Sequence, residues 1–175
     1  MRYLTLFLLL VVAVSGATDP RLSGLADVAV GSAAVDGKLL YVLGGVDDGR
    51  IQQRLAQTIS RSALPLGSED LRWDRGVIDV KVDGYRASAR QYIYLVTVSL
   101  KRLVRAPGTA EGFLSTVDTR TIYGMASPSG LAVQVMVAVE EQTEDLLGQV
   151  RLAQVDKSRV GPAARSLVAL AAPRR

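Results

Sequence analysis

The stretch "LADVAVGSAAVDGKLLYVLGG", Leu25 to Gly45, decides how the fold is read. Two short apolar runs flank Asp36-Gly37. An Asp-Gly pair between apolar runs suits the left-handed backbone of a tight hairpin turn. The spacing predicts a strand over Asp27–Ala34 and a second over Lys38–Leu43.

Downstream, "DDGRIQQRLAQTISRSALPLG" repeats apolar residues at helical spacing. Ile51, Leu55 and Ile59 recur every four residues, with Ala56 and Ala63 beside them. Arg50, Gln53, Arg54, Gln57 and Arg61 fill the other side. This is an amphipathic helix laid on a core, and Pro65 and Gly67 end it. "SEDLRWDRG" is polar and turn-like, and its Trp73 is the chain's one tryptophan.

Strand patterns follow. "VIDVKVDGY" alternates Ile78, Val80 and Val82 against Asp79, Lys81 and Asp83. "QYIYLVTVSLKRLVR" sets Tyr92, Tyr94, Val96, Val98 and Leu100 on one face, with Thr97, Ser99 and Lys101 on the other. "FLSTVDTRTIYGM" is rich in β-branched and aromatic residues and reads as the next strand. Short loops join these three, so they should form an antiparallel meander. In "ASPSGLAVQVMVAVEEQTEDLLGQVRLAQVDK", Ser127 suits an N-cap and Pro128 the first helical position. Leu131, Val135, Val139, Leu146 and Val150 make a stripe, predicting a helix from Pro128 to Gln154.

The expected order is β-β-α-β-β-β-α. Alternating strands imply one wet sheet face, with both helices on the other. The fold class expected is α+β: a two-layer sandwich, mainly antiparallel, with two helices packed on one face.

The chain has 175 residues. Its start has the three parts of a secretory signal. Met1-Arg2 is basic, Tyr3–Val14 is unbroken and apolar, and Ser15-Gly16-Ala17 offers small residues for cleavage. The run is shorter than the ~20 residues of a spanning helix. We therefore expect a signal peptide over 1–17, one domain over 18–155, and a flexible Ala/Arg/Pro-rich tail over 156–175. No cysteine follows the run, so a lipid-modified cysteine is excluded. The expected location is periplasmic or secreted, with no membrane span after signal cleavage.

Cysteine and histidine are both absent. Without them Ser-His-Asp and Cys-His machinery cannot be built, nor the usual zinc sites. Carboxylate pairs, Ser-Lys pairs and all-oxygen metal sites remain. The four lysines, Lys38, Lys81, Lys101 and Lys157, lack an S-x-x-K spacing. The net charge of +4 carries no run of like charge, so nucleic acid is not an expected partner.

"LGGVDDGR", Leu43 to Arg50, resembles a phosphate loop only superficially. It lacks the Gly-Lys-Ser/Thr of a Walker loop and the three-glycine spacing of a dinucleotide loop. Asp47 and Asp48 would also repel an anion at the helix start, so a cap is the better reading. The same pair lacks the ligand alternation of a calcium loop.

Glu140, Glu141, Glu144 and Asp145 cluster by helical spacing and read as a solvated face. Tyr92 and Tyr94, with Tyr123, read as core aromatics rather than a stacking platform. We therefore assign no catalytic, cofactor-binding or metal-binding residue and expect no cofactor.

"GGVDDGRIQQRLAQTISRSALPL" and "STVDTRTIYGMA" resemble phrases in a loose group of small exported bacterial proteins of unknown function. The resemblance spans about Ala26 to Gln154. It implies a Gly-acidic-led helix, alternating strands, a Thr-rich strand ending in glycine, and a long C-terminal helix. It implies no activity. Asp118 and Arg120 are unexpected in a buried strand.

The function expected is that of a non-enzymatic exported protein that binds a cell-envelope protein. The alternative is a carboxylate-based hydrolase of cell-wall or sugar substrates, needing two carboxyls about 5–10 Å apart. A third reading is anionic-polymer binding by the arginines of the first helix.

Overall fold

The computed structural model describes the backbone of residues 20–68, 70–106 and 108–170, and the side chains of 21–68, 70–106 and 108–155. The expected signal peptide, Met1–Ala17, lies outside the described residues.

A short 3-10 turn, Pro20–Leu22, leads in. The elements are then β1 (Asp27–Val35), α1 (Gly37–Leu40), α2 (Asp48–Arg61), β2 (Arg75–Ser88), β3 (Gln91–Arg105), β4 (Gly112–Ala126) and α3 (Leu131–Leu170). The four strands form one sheet in the order β1-β2-β3-β4. The class is the α+β sandwich that the patterning predicts. Strands β2, β3 and β4 are the expected antiparallel meander.

The opening stretch differs from its expectation. Lys38–Leu43 is not a strand, and no hairpin forms at Asp36-Gly37. Asp36 instead caps α1, its carboxylate accepting the Lys38 N–H at 3.0 Å. The chain crosses over through α1 and α2, so β1 pairs with β2 in parallel. Burial explains the outcome. A strand would turn Leu39, Tyr41 and Leu43 to one face. In the fold Leu39 and Leu43 are fully buried while Tyr41 is 95% exposed. The four-residue spacing of the leucines is a helical signal. Leu39 also sits where Gly84 of β2 leaves room for it.

The core lies between the sheet and the two long helices. Ile51, Leu55 and Ile59 of α2 and Leu131, Val135, Val139, Leu146 and Val150 of α3 are all buried. They close on Ile78, Val80, Val82, Val96, Val98 and Leu100 of the sheet. Each such side chain contributes about 1.5–3 kcal/mol by leaving water. That burial supports a chain with no disulfide.

The start of α2 follows its sequence signals. Gly44 and Gly45 turn the chain with φ of 58° and 89°. Asp47 caps α2, accepting the Arg50 N–H at 2.9 Å. Asp48 reaches back to the Val35 N–H at 2.9 Å, tying α2 to the end of β1. The start of α3 differs from its expectation: Ser127 accepts the Gly130 N–H at 3.3 Å within a turn, Pro128 lies in that turn, and α3 begins three residues later, at Leu131. Its other end, Leu170, lies past the expected Gln154 and inside the segment read as tail. The Ala, Arg and Leu of that segment are good helix formers.

One sheet edge is covered and one is open. Val28 of β1 donates to the Pro65 carbonyl at 3.1 Å and accepts from Gly67 at 2.9 Å, so the segment after α2 screens the start of β1. On the far side, among the described residues, β4 pairs only with β3.

Candidate functional site

The open sheet face holds two unlike halves. Its middle is polar, as the alternation predicts. Asp79 accepts the Ser32 N–H at 2.8 Å where β1 bulges, and also holds the Lys101 ammonium. Lys81 pairs with Asp83 at 2.8 Å. Ser99 and Thr119 are hydrogen-bonded across β3 and β4, as are Thr97 and Thr121.

Towards the β2–β3 turn this face becomes apolar. The register places Tyr85 beside Ile93 and Ile93 beside Met125. The adjoining row places Leu95 beside Tyr123. Tyr123 is 80% exposed, Met125 66% and Tyr85 59%. A cleft of about 460 Å³, bounded by Ser88, Arg90, Gln91, Met125, Ala126 and Ser127, adjoins the strip. This strip and cleft are the candidate docking site.

The three tyrosines grouped by the sequence do not share a face. Tyr94 is buried under the helices, where Gly124 leaves space for its ring. Burial pushes its phenol pKa up, and Glu141 of α3 adds to that. Tyr92 is half-buried on the same side. Tyr123 points the other way, because it pairs with Leu95 rather than with Tyr94. Side-chain alternation was the available signal: Tyr123 is an odd position beside Gly124, which pairs with Tyr94.

Of the acidic cluster on α3, Glu140 is held by cations. Glu140 binds Arg54 at 3.3 Å and Arg61 at 2.7 Å, joining α3 to α2. The same contacts occupy two of the three α2 arginines considered for an anionic polymer. Asp118 pairs with Arg120 at 3.0 Å. These two lie on the helix-facing side, opposite Leu100 and Val98, and are tolerated there because β4 is an edge strand. Among the described residues, no group of three or more acidic side chains is placed to hold a metal.

The opposite end of the sheet is basic and aromatic. The Arg105 guanidinium lies 5.1 Å from the centre of the Trp73 ring. Arg102 donates to the Trp73 carbonyl at 3.1 Å and to the Arg21 carbonyl at 2.8 Å. A cleft of about 500 Å³ opens here, lined by Trp73, Arg21, Arg102, Arg105 and Leu103 among others. Trp73 is 43% exposed, so the loop tryptophan is neither sunk in the core nor free of it.

Beside this end lies a buried charge that sequence reasoning passed over as turn. Arg75 is 4% exposed. It grips both Asp27 carboxylate oxygens, one at 2.7 Å, and donates to the Ser68 and Asp70 carbonyls at 2.9 and 2.8 Å. The Arg75 hydrogen bond holds the Asp27 carboxyl below its ordinary pKa, against the desolvation that would raise it. The role is structural: Arg75 fixes the loop before β2 to the start of β1.

No protein-family model matches the chain, and no curated protein matches it. Among solved structures, the hypothetical protein CT253 from Chlamydia trachomatis is similar at TM-score 0.43 and 10% identity, over 68% of this chain and 98% of that one. A dodecamer of PelC from Paraburkholderia phytofirmans gives TM-score 0.42 at 13% identity, over 76% and 92%. A minor lipoprotein from Acinetobacter baumannii gives 0.34 at 11% identity, over 76% and 94%. The chain thus has a weak structural resemblance to small bacterial proteins, hypothetical and lipoprotein alike, and no activity comes with it.

Proposed function

We propose that this is an exported, non-enzymatic protein that docks onto another protein of the cell envelope. The observation that supports this is the apolar strip of Tyr85, Ile93, Leu95, Tyr123 and Met125, with Tyr85, Tyr123 and Met125 exposed, beside the polar middle of the sheet face. Monomeric surfaces seldom gather such side chains in adjoining rows. Tyrosine and methionine at a centre, with hydroxyls and ion pairs around it, is the core-and-rim pattern of a protein interface. The partner binds by contact, and Asp27, Asp79, Asp118 and Glu140 serve as structural ties.

A photoreactive side chain at position 123 tests the reading in the native envelope. One reproducible crosslinked protein, absent when the photoreactive group is moved to position 81 on the same face, is the expected result. Equal crosslinking from both positions, or none from position 123, would remove the strip from the function.

A further inference from the structure

The sheet end opposite the strip combines three features that point to a different surface. The first is exposed apolar area. Trp73, Phe113 and Leu114 are 43%, 52% and 41% exposed, and Leu71 in the preceding loop is 55% exposed. Phe113 and Leu114 open β4, directly across from Val104 and Leu103 of β3.

The second is charge. Arg21, Arg102 and Arg105 border the cleft beside Trp73, and no carboxylate is among its lining residues. Glu111 is the acidic residue of the β3–β4 turn, and Asp74 is paired with Arg72 at 3.0 Å.

The third is the point of chain entry. Arg102 holds the Arg21 and Ser23 carbonyls at 2.8 and 3.2 Å, so the chain enters the domain at this end. The apolar run Tyr3–Val14 ends six residues before Pro20. Six residues of extended chain reach roughly 20 Å. While the expected signal is still attached and that run occupies a bilayer, this end of the sheet lies within reach of the lipid headgroups.

We propose that the end formed by Trp73, Phe113, Leu114, Arg102 and Arg105 is a peripheral membrane-binding surface for anionic phospholipid. Phe113 and Leu114 enter the acyl boundary. The Trp73 indole sits at headgroup depth, where its apolar ring and polar N–H are both served. Arg105 lies across that ring and meets a lipid phosphate while its stem stays against apolar surface. A soluble anionic polymer would use the arginines and leave Phe113 and Leu114 in water. A bilayer uses both sets, and before signal cleavage the entry point brings one within reach.

Trp73, as the single tryptophan, makes the full chain its own probe. The chain is mixed with vesicles of phosphatidylglycerol and phosphatidylcholine, and with the same vesicles carrying brominated acyl chains. The expected result is a blue shift and loss of most Trp73 fluorescence to the bromine. In vesicles of phosphatidylcholine alone, or at high salt, the loss should be smaller. Phe113→Ser with Leu114→Ser should reduce the quenching, and Arg105→Gln should reduce its dependence on anionic lipid. Each variant is compared with and without bromine, so a change in intrinsic emission cancels. Chain that sediments with the vesicles while Trp73 stays unquenched would overturn the proposal. So would equal quenching with and without anionic lipid, or a larger emission shift with dextran sulfate than with vesicles. If a variant fails to fold, the lipid contrast in the unmodified chain still decides.

Discussion

At the scale of single residues, close approach and buried charge matter most. Gly31 lies in the β1 bulge, where an added Cβ would collide with the Asp79 carboxylate and come within 2.7 Å of Val77. We predict that Gly31→Ala lowers stability by about 1–3 kcal/mol, the usual cost of overpacking, measured by urea denaturation. Gly31 was legible as a glycine within a strand pattern, but its partner was not, because Asp79 is 48 positions away. Asp27 gives a pH prediction. Its folded-state carboxyl is held below the ordinary value of 3.8, first by the Arg75 hydrogen bond. The folded chain therefore binds fewer protons than the unfolded one near that pH. The stabilisation is complete above the ordinary value and is lost as pH falls through the lower folded value. Asp27→Asn should lower the Tm at neutral pH, and the gap from the unmodified chain should close in acid. A gap that stays constant down to pH ~2 would mean that the pair contributes no linkage.

At the scale of elements, the most informative segment is α1. A helical turn and a strand make opposite demands on Leu39 and Tyr41. Leu39→Ala should cost about 2–5 kcal/mol as a core truncation. Tyr41→Ser should stay within about 0.5 kcal/mol, as a surface change does. Equal costs at both positions would favour a strand. The sheet makes a second prediction. Among the described residues, β3 is hydrogen-bonded on both sides, whereas β4 has a neighbour on one side only. In native-state hydrogen exchange, β3 amides from Tyr94 to Leu100 should outlast the β4 amides that point away from β3. The helices and the meander were legible because each carries its own period over ten residues or more. The segment 38–43 was too short for its period to outweigh the Asp-Gly turn signal. The cap at Asp36 and the leucine spacing were both present in the sequence, but only the packing of Leu39 over Gly84 selects between them.

At the scale of the whole molecule, the sheet separates two surfaces. One end carries Tyr85, Tyr123 and Met125, and the other carries Trp73, Phe113 and the arginines. Replacing Tyr123 and Met125 by serine should leave the thermal midpoint nearly unchanged, since both already face water, while abolishing partner capture. A large fall in the midpoint would show that the strip serves stability instead. The sequence by itself determined the α+β class, the buried faces of α2, α3 and the meander, the cap at Asp47, and the exclusion of histidine and cysteine chemistry. These are local properties, written in periodicity and composition. Only the tertiary structure decided that β1 runs parallel to β2, that Tyr123 turns away from Tyr94, that Arg75 closes on Asp27, and that Trp73 meets Arg105. Each of these joins residues distant in the chain, or depends on which of two local conformations buries more apolar surface. That comparison is made between whole folds, so no window of sequence contains it.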